Sequence, residues 1–357
     1  MAKKLFIPGP VDVRPDVLAA MTHPMIGHRS KDASALQRGI SEKLRKVFQT
    51  EQVILLSTSS GSGLMEGAIR SFSAKRAAVF SVGAFGKRWH DMAVLNGKDA
   101  DLFEVPQGQP TLASEVEKAL ATGKYDTFTV THNETSSGVM NPVAEIAEVR
   151  RRYPDVLWLL DTVSSMAGTS IPVDELGVDC CITSTQKALG VPPGLSACSV
   201  SERAIERARG VQNRGFYFDM VQLYDFVFKK DHQYSSTPAL SLMYALDKAL
   251  DLILEEGLQV RWDRHKANME KVRAWGRKHF ELLVDDAFAS RTVTVIHNTR
   301  GFNVSELNGA LGQRGFQIAN GYGELKDKTF RIAHMAECTA AGLDELFVAM
   351  EDILDLK

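Results

Sequence analysis

Short runs of branched and aromatic residues alternate with helix-length segments over residues 53–200 of this 357-residue chain. The runs occupy 53–56, 77–82, 128–131, 156–160, 180–183 and 195–200. The clearest helical segments occupy 62–73, 113–122 and 142–153. Such alternation is typical of βαβ units, because parallel strands need a long crossover connection. The sequence therefore predicts an α/β fold built on a mostly parallel sheet.

The last third of the chain has a different pattern. Residues 239–256 carry apolar side chains at helical spacing and stop at Gly257, which predicts a long helix between two domains. Further helices and strand-like runs follow at 258–280, 292–297, 304–314, 329–333 and the carboxyl end. A chain of this length exceeds the size at which a single core stops growing. We therefore expect a large domain over 15–250 and a smaller α+β domain over 251–357, with residues 1–14 packed near it.

Charge and composition point away from nucleic acids and membranes. The chain has 42 basic and 44 acidic residues with no long run of one sign, so we expect small-molecule partners. No segment reads as a signal peptide or a membrane span, and the 4 cysteines include no Cys-x-x-Cys pair. We expect a cytoplasmic protein with reduced cysteines and no metal site.

An aspartate and a lysine follow two successive apolar runs. Asp161 ends the run that begins at Val156, and Lys187 closes the tetrad Ser184-Thr185-Gln186-Lys187 after the next run. Open α/β sheets place ligands at the carboxyl ends of their strands. A partly desolvated lysine there can react with an aldehyde, and an acid can pair a protonated ring nitrogen, which suggests pyridoxal phosphate. A turn-capping aspartate and a surface lysine would give the same spacing.

Two glycine-containing segments follow earlier runs. Residues 57–63 are all serine, threonine or glycine and open a helix, so their backbone N–H groups and hydroxyls can hold a phosphate. Their glycines lack the spacing of a dinucleotide fingerprint. Phe85, in the segment Gly83-Ala84-Phe85-Gly86, can lie flat against a planar cofactor, although a lone phenylalanine is more often part of a core.

A polar segment after the run at 128–131 contains His132 and Glu134. Its short side chains are typical of an Asx or ST turn. The two residues alternate at a strand end without a third ligand nearby in sequence, so a metal site is not expected.

Eight short motifs lie one after another along the chain. They are Pro8-Gly9-Pro10, Ser60-Gly61-Ser62-Gly63, Gly83-Ala84-Phe85-Gly86, His132-Asn133-Glu134-Thr135-Ser136, Asp161-Thr162-Val163-Ser164-Ser165, Ser184-Thr185-Gln186-Lys187, Pro192-Pro193-Gly194 and Phe330-Arg331-Ile332. In type and spacing this series resembles the class V, fold-type I pyridoxal-phosphate aminotransferases of the alanine/serine–glyoxylate (serine–pyruvate) group. The resemblance runs nearly end to end. It implies a large domain with a mostly parallel seven-stranded sheet and a smaller carboxyl-terminal α+β domain.

The resemblance also implies roles around the cofactor. Lys187 would form the Schiff base, Asp161 would pair the pyridine nitrogen, Phe85 would stack on the ring, and Thr135 would lie near the ring hydroxyl. The phosphate would be held by Ser60, Gly61, Ser62 and Gln186, joined by Tyr234 and Thr237 of a neighbouring subunit. A homodimer with shared active sites would follow.

The implied reaction moves an amino group from serine or alanine to glyoxylate or pyruvate. Arg331 would hold the substrate α-carboxylate through its planar fork. Gly27, His28, Arg29 and His334 are expected near the side-chain pocket. The cationic groups among them would suit phosphoserine or aspartate as donor instead. Phosphoserine and aspartate therefore remain alternative donors.

Two other readings belong to different functional classes. A cysteine desulfurase or related lyase would need a nucleophilic cysteine, for which Cys338 is the only candidate in the smaller domain. The second alternative is a non-enzymatic subunit associated with a hydrogenase, because some relatives have been labelled as hydrogenase subunits. Intact Lys187, Asp161 and Arg331 argue against a degenerate site.

Overall fold

The computed structural model describes residues 3–356. In chain order its strands are β1 Lys4–Phe6, β2 Val53–Ser57, β3 Arg76–Ser81, β4 Asp99–Glu104, β5 Thr127–Thr131, β6 Asn133–Glu134, β7 Val139–Met140, β8 Leu157–Asp161, β9 Cys180–Ser184, β10 Ser196–Val200, β11 Glu281–Leu282, β12 Val293–His297, β13 Phe316–Asn320 and β14 Thr329–Ala333. Its helices are α1 Pro15–Ala20, α2 Lys31–Phe48, α3 Gly61–Phe72, α4 Ala84–Leu95, α5 Ala113–Leu120, α6 Val143–Arg151, α7 Val173–Leu176, α8 Glu202–Arg209, α9 Met220–Lys229, α10 Leu240–Glu256, α11 Leu258–His279, α12 Val304–Gln313 and α13 Ala340–Ile353.

A seven-stranded sheet forms the centre of the large domain. Its strand order is β2-β10-β9-β8-β5-β3-β4, and β10 runs antiparallel to both of its neighbours while the other pairs are parallel. Every residue of β5, β8 and β9 is buried, as expected for parallel strands covered on both faces. The expectation of an α/β fold with a mostly parallel seven-stranded sheet is confirmed.

Helices cover both faces of this sheet. One hydrophobic cluster joins the sheet to α2, α5, α6 and α10 through side chains such as Leu44 and Leu246. A second cluster on the opposite face joins it to α3, α4, α8 and α9 through side chains such as Leu64 and Trp89. The helical segments predicted at 62–73, 113–122 and 142–153 correspond to α3, α5 and α6. Because the helices cover the two faces, the carboxyl ends of the strands remain accessible to ligands.

A second sheet has the order β1-β13-β14-β12-β11. Helices α11, α12 and α13 pack on it through a cluster that includes Trp275, Leu311 and Phe347. Strand β1 pairs in parallel with β13, so the amino-terminal segment joins this carboxyl-terminal sheet. Helix α10 ends at Glu256, directly before Gly257, as the apolar spacing predicts, and α11 begins at Leu258. The domain bounds 15–250 and 251–357 stay a prediction.

Within residues 3–356, no helix has the combination of length and apolar character that a membrane-crossing segment needs.

Candidate active site

A cavity of about 180 Å³ lies at the carboxyl edge of the central strands. The parallel register places Thr131 of β5 beside Asp161 of β8, and Asp161 beside Ile182 of β9. The ends of three successive strands therefore meet here. The cavity wall consists of Ser60, Gly61, Ser62, Met65, Phe85, Arg88, Asn133, Thr135, Asp161, Val163, Ser164, Gln186 and Lys187.

Lys187 has a partly buried amine that forms no ion pair with an acidic side chain of residues 3–356. Its Nζ donates a hydrogen bond to the carbonyl of Pro8, on the amino-terminal segment. Burial, followed by the positive charge of Arg331, lowers the pKa of Lys187 from 10.5 to about 8, against an opposing effect of Asp161. The amine is therefore neutral far more often near physiological pH than that of an ordinary lysine, and the neutral form is the one that attacks an aldehyde.

Asp161 has a buried carboxylate of which only one oxygen accepts a hydrogen bond within residues 3–356. Its Oδ1 accepts a hydrogen bond of 2.8 Å from the backbone N–H of Val163. Its Oδ2 has no hydrogen-bond partner among residues 3–356. Burial raises the pKa of Asp161 from 3.8 to about 7, while the Val163 N–H opposes the rise. A cationic N–H group in the cavity would stabilise the charged form and restore a low pKa.

Helix α3 begins in the cavity wall. Its N-cap residue Ser60 makes no side-chain capping bond, so the positive end of the helix is free to receive an anion. The N–H of Gly61 donates to Ser184 Oγ at 3.2 Å, and Ser184 Oγ donates to Gln186 Oε1 at 2.5 Å. A Cβ on Gly61 would lie 2.6 Å from a Val163 methyl group, so only glycine fits. These contacts join the start of α3 to the segment that carries the lysine.

The buried carboxylate of Glu134 caps helix α4. Its Oε2 accepts hydrogen bonds from the N–H groups of Phe85 at 3.1 Å and Gly86 at 2.9 Å. Its Oε1 accepts from the N–H and hydroxyl of Ser136 at 3.0 and 2.6 Å. A Cβ on Gly83 would lie 2.4 Å from Ser136 Oγ, so glycine is required for this close approach. Glu134 therefore fixes the helix turn that carries Phe85, a role that the sequence did not reveal.

Arg331 lies beside the cavity on β14. Its Nε donates to the carbonyl of Asn320 at 2.8 Å, and its Nη1 donates to the carbonyl of Thr135 at 3.1 Å. Burial lowers the pKa of Arg331 from 12.5 to about 10, which leaves the guanidinium charged near neutral pH. Within the described part of the chain, no carboxylate forms an ion pair with it. A ligand carboxylate can therefore occupy that position.

Other candidate residues from the sequence lie outside the cavity wall. The Arg29 guanidinium bonds to the Tyr234 carbonyl and lies 5.2 Å from the Phe226 ring centre. In the same loop Gly27 is exposed and His28 is half-buried. The Tyr234 hydroxyl accepts from the Thr58 N–H at 3.1 Å, while Thr237 is exposed. These positions neither touch Lys187 nor line its cavity within one chain, and their substrate or phosphate roles stay predictions.

His334 is fully buried in the smaller sheet. Its Nε2 shares a hydrogen bond of 3.0 Å with Thr294 Oγ1, and burial lowers its pKa to about 3. A neutral imidazole results, so this environment does not favour the charge-assisted substrate contact expected from the sequence.

His132 and Glu134 are both engaged with protein groups. His132 Nδ1 shares a hydrogen bond of 2.9 Å with Ser165 Oγ, and burial lowers its pKa to about 4. Across residues 3–356, no group of three or more His, Cys, Asp or Glu side chains could hold a metal ion.

The cavity fits pyridoxal phosphate chemically. An amine with a lowered pKa suits its aldehyde, a carboxylate with one oxygen unbonded within residues 3–356 suits its ring nitrogen, and a helix N-terminus suits its phosphate. Lys187, Asp161 and the Ser60–Ser62 turn would hold those groups, with Phe85 and Gln186 in the same wall. The sequence did not single out Asn133, Ser164 or Arg88 for this wall. Arg88 could have been inferred, because it lies one helical turn after Phe85.

Comparisons with known proteins agree with this chemistry. The family model described as Aminotransferase class-V matches residues 16–325. An uncharacterized aminotransferase of Methanocaldococcus jannaschii is 40% identical over 347 residues, covering 94% of this chain and 88% of that protein. The serine–glyoxylate aminotransferase of Arabidopsis thaliana is 30% identical, with coverage of 98% and 90%. The solved structure of an alanine–glyoxylate aminotransferase from Nostoc sp. is 31% identical, with a TM-score of 0.93 and coverage of 99% and 96%.

The buried charge of Asp161 predicts a pH-dependent stability. Because its folded pKa is raised from 3.8 to about 7, the cofactor-free protein loses stability as the pH rises through that interval. We expect Asp161→Asn to raise the free energy of unfolding of the cofactor-free protein at pH 8 by on the order of 2 kcal/mol, and by less at pH 5. Urea denaturation at both pH values measures this. A variant no more stable than the wild type at pH 8 contradicts the expectation.

The capping of α4 by Glu134 predicts that a nearly isosteric substitution lowers the stability of the protein. Glu134→Gln replaces one acceptor oxygen by an NH₂ group facing backbone or hydroxyl donors, which leaves buried groups unpaired. We expect a loss of about 1–3 kcal/mol in the free energy of unfolding. The matched control is Glu115→Gln in the exposed first turn of α5, for which we expect a change below about 0.5 kcal/mol. Equal urea midpoints for the two variants would show that Glu134 is not a significant cap.

Proposed function

Because the chain belongs to the class V aminotransferase family, we propose that it transfers an amino group from a small amino acid, serine or alanine, to glyoxylate or pyruvate. The observation that carries this proposal is the amine of Lys187, whose pKa is lowered by burial to about 8, in a cavity with Asp161 and beside Arg331. This arrangement combines a nucleophile, an acid for a ring nitrogen and a cation for a substrate carboxylate.

The cofactor is pyridoxal phosphate, which supplies an aldehyde carbon for amino groups and a ring that accepts electrons. Arg331 binds the substrate carboxylate and so orients the donor Cα toward the cavity. The neutral Nζ of Lys187 then accepts the proton from Cα and can return it to another atom. The Asp161 carboxylate holds a proton on the ring nitrogen, because a buried anion strongly favours an adjacent cation.

A second candidate donor class rests on Arg88. Its guanidinium lines the cavity and donates to Ser62 Oγ at 3.1 Å, and no carboxylate forms an ion pair with it within the described chain. Such a cation could bind the second carboxylate of aspartate or the phosphate of phosphoserine. Aspartate and phosphoserine therefore remain the alternative donors.

The lyase alternative finds no support in the position of Cys338. Burial raises the pKa of its thiol to about 12, so the thiol stays protonated near neutral pH. Cys338 is also absent from the wall that contains Lys187. A desulfurase needs a thiolate that reaches its substrate.

A homodimer and a cytoplasmic location are also part of the proposal. Phe216 and Phe228 are 75% and 69% exposed, and exposed aromatic side chains of this kind are typical of an interface. The intervening residue Phe218 packs against Gly63 and Gly67 of α3, close to the phosphate end of the cavity. Four unpaired cysteines suit a reducing compartment.

The proposed reaction predicts a donor order. With the protein loaded with pyridoxal phosphate, we expect serine and alanine to shift the cofactor absorbance faster than aspartate or phosphoserine, with glyoxylate or pyruvate reversing the shift. Lys187→Ala is expected to lose nearly all turnover and the covalent link to the cofactor. Stopped-flow spectra with matched donor concentrations measure this. Faster reaction with aspartate or phosphoserine would favour the alternative donors, and no reaction with any donor would reject the function.

The proposed dimer predicts that a charged side chain at the interface lowers the mass of the protein in solution. We expect Phe228→Glu to shift the protein from about twice the chain mass toward a monomer, because an unpaired charge is costly in an apolar interface. Light scattering after size-exclusion chromatography measures the mass. Val348→Glu is the control, since Val348 is 65% exposed on α13, which packs on the five-stranded sheet, whereas Phe228 lies on α9 over the seven-stranded sheet. A monomeric wild type, or equal masses for both variants, would reject this interface.

A further inference from the structure

Four side chains form a cluster beside the cavity: Arg331, Tyr322, Phe85 and Arg88. The rings of Phe85 and Tyr322 stack with centroids 5.4 Å apart and planes inclined by 25°. The Arg331 Cζ lies 5.6 Å from the Tyr322 ring centre, and the Arg88 Cζ lies 4.7 Å from the Phe85 ring centre. Arg88 also donates from Nη2 to the Tyr322 hydroxyl at 3.5 Å. Tyr322 is thus the member that contacts each of the other three.

The cluster joins the two sheets of the molecule. Tyr322 lies in the connection between β13 and β14 of the five-stranded sheet, whereas Phe85 and Arg88 lie on α4 over the seven-stranded sheet. Arg331 belongs to β14, so Tyr322 and Arg331 come from the same hairpin. The Tyr322 ring therefore connects the guanidinium that would meet the substrate with the aromatic wall of the cavity.

Burial alone does not explain an aromatic residue at this position. The side chain of Tyr322 is 40% exposed, which places it at the rim of the cavity and not in a core. The adjoining Gly321 has no space for a Cβ, since its position lies 1.9 Å from the Leu325 carbonyl oxygen. The backbone is therefore closely packed where Tyr322 begins, and the ring is held at the rim.

An aromatic ring suits the neighbour of a carboxylate-binding arginine. The ring attracts the face of a guanidinium through its quadrupole and leaves the in-plane N–H groups free. An acidic residue in the same place would pair with Arg331 and compete with the ligand. The protein hydrogen bonds of Arg331 go only to the carbonyls of Asn320 and Thr135 within residues 3–356, so its partners are all uncharged.

We propose that Tyr322 is a positioning residue for carboxylate recognition: its ring fixes the Arg331 guanidinium relative to the Phe85 wall. Substrate affinity then depends on Tyr322 although the residue performs no chemistry. This inference rests on the proposed function, because it takes the ligand of Arg331 to be the substrate carboxylate.

Binding of propionate to the cofactor-loaded protein tests the inference without turnover, because propionate has a carboxylate but no amino group. We expect Tyr322→Leu to weaken propionate binding about tenfold in calorimetric titration, a change in the range of a lost cation–π contact. Tyr322→Phe keeps the ring and should bind within about twofold of the wild type. Glu324→Gln, an exposed change in the same connection, is the matched control and should have no effect.

Kinetics with alanine give a second readout. Tyr322→Leu should raise KM about tenfold and leave kcat within about twofold, because the ring positions the carboxylate and does not move protons. Its thermal midpoint should stay within about 2 °C of the wild type, as expected for a half-exposed side chain. A parallel fall in kcat and thermal midpoint would show a merely structural role and overturn the inference.

The remaining outcomes separate this inference from the proposed function. Unchanged propionate binding in Tyr322→Leu overturns the inference, as does equal weakening in Tyr322→Phe or a wild type that does not bind propionate. If the wild type turns over alanine in any of these cases, the proposed function still stands. If propionate follows the expected order but no small donor reacts, the positioning role stands and the proposed function fails.

Discussion

The parallel register of β5, β8 and β9 is the constraint on which the site depends. Because parallel strands end at one edge, pairing Thr131 with Asp161 and Asp161 with Ile182 brings three strand ends within reach of one small ligand. Complete burial of these strands keeps that register fixed, since a shift by one residue would move every side chain of a strand to the opposite face of the sheet, where the packed layer is shaped for other side chains. The low dielectric of the same environment sets the pKa values of Asp161 and Lys187.

The sequence predicts the buried parts of the fold better than its edges. Strands such as β8 are continuous apolar runs, and α10 has a clear helical spacing with a terminal glycine. Strand β4 was not recognised, because it is an edge strand in which Asp99 and Asp101 interrupt the apolar pattern. Strand β1 has only three residues and obtains its partner from the other end of the chain, so no local signal marks it.

The same division applies to the site. Residues that act where their own strand or turn ends, such as Asp161, Lys187 and Gly61, carry a local signature and meet in the cavity. The capping role of Glu134 has no local signature, because its partners include backbone N–H groups of a helix almost fifty residues earlier. Tyr322 was missed because its importance arises from contacts across two sheets, which spacing along the chain does not encode.

The pairing of β1 with β13 determines when the cavity can be completed during synthesis. The Pro8 carbonyl that receives the Lys187 amine lies two residues after β1, and β1 has no sheet to join until residues 316–320 have left the ribosome. Domains generally fold from the amino end as the chain emerges. Strand β1 precedes the other described strands in the chain but is among the last to be paired, so the contact between Lys187 and Pro8 can form only near the end of translation.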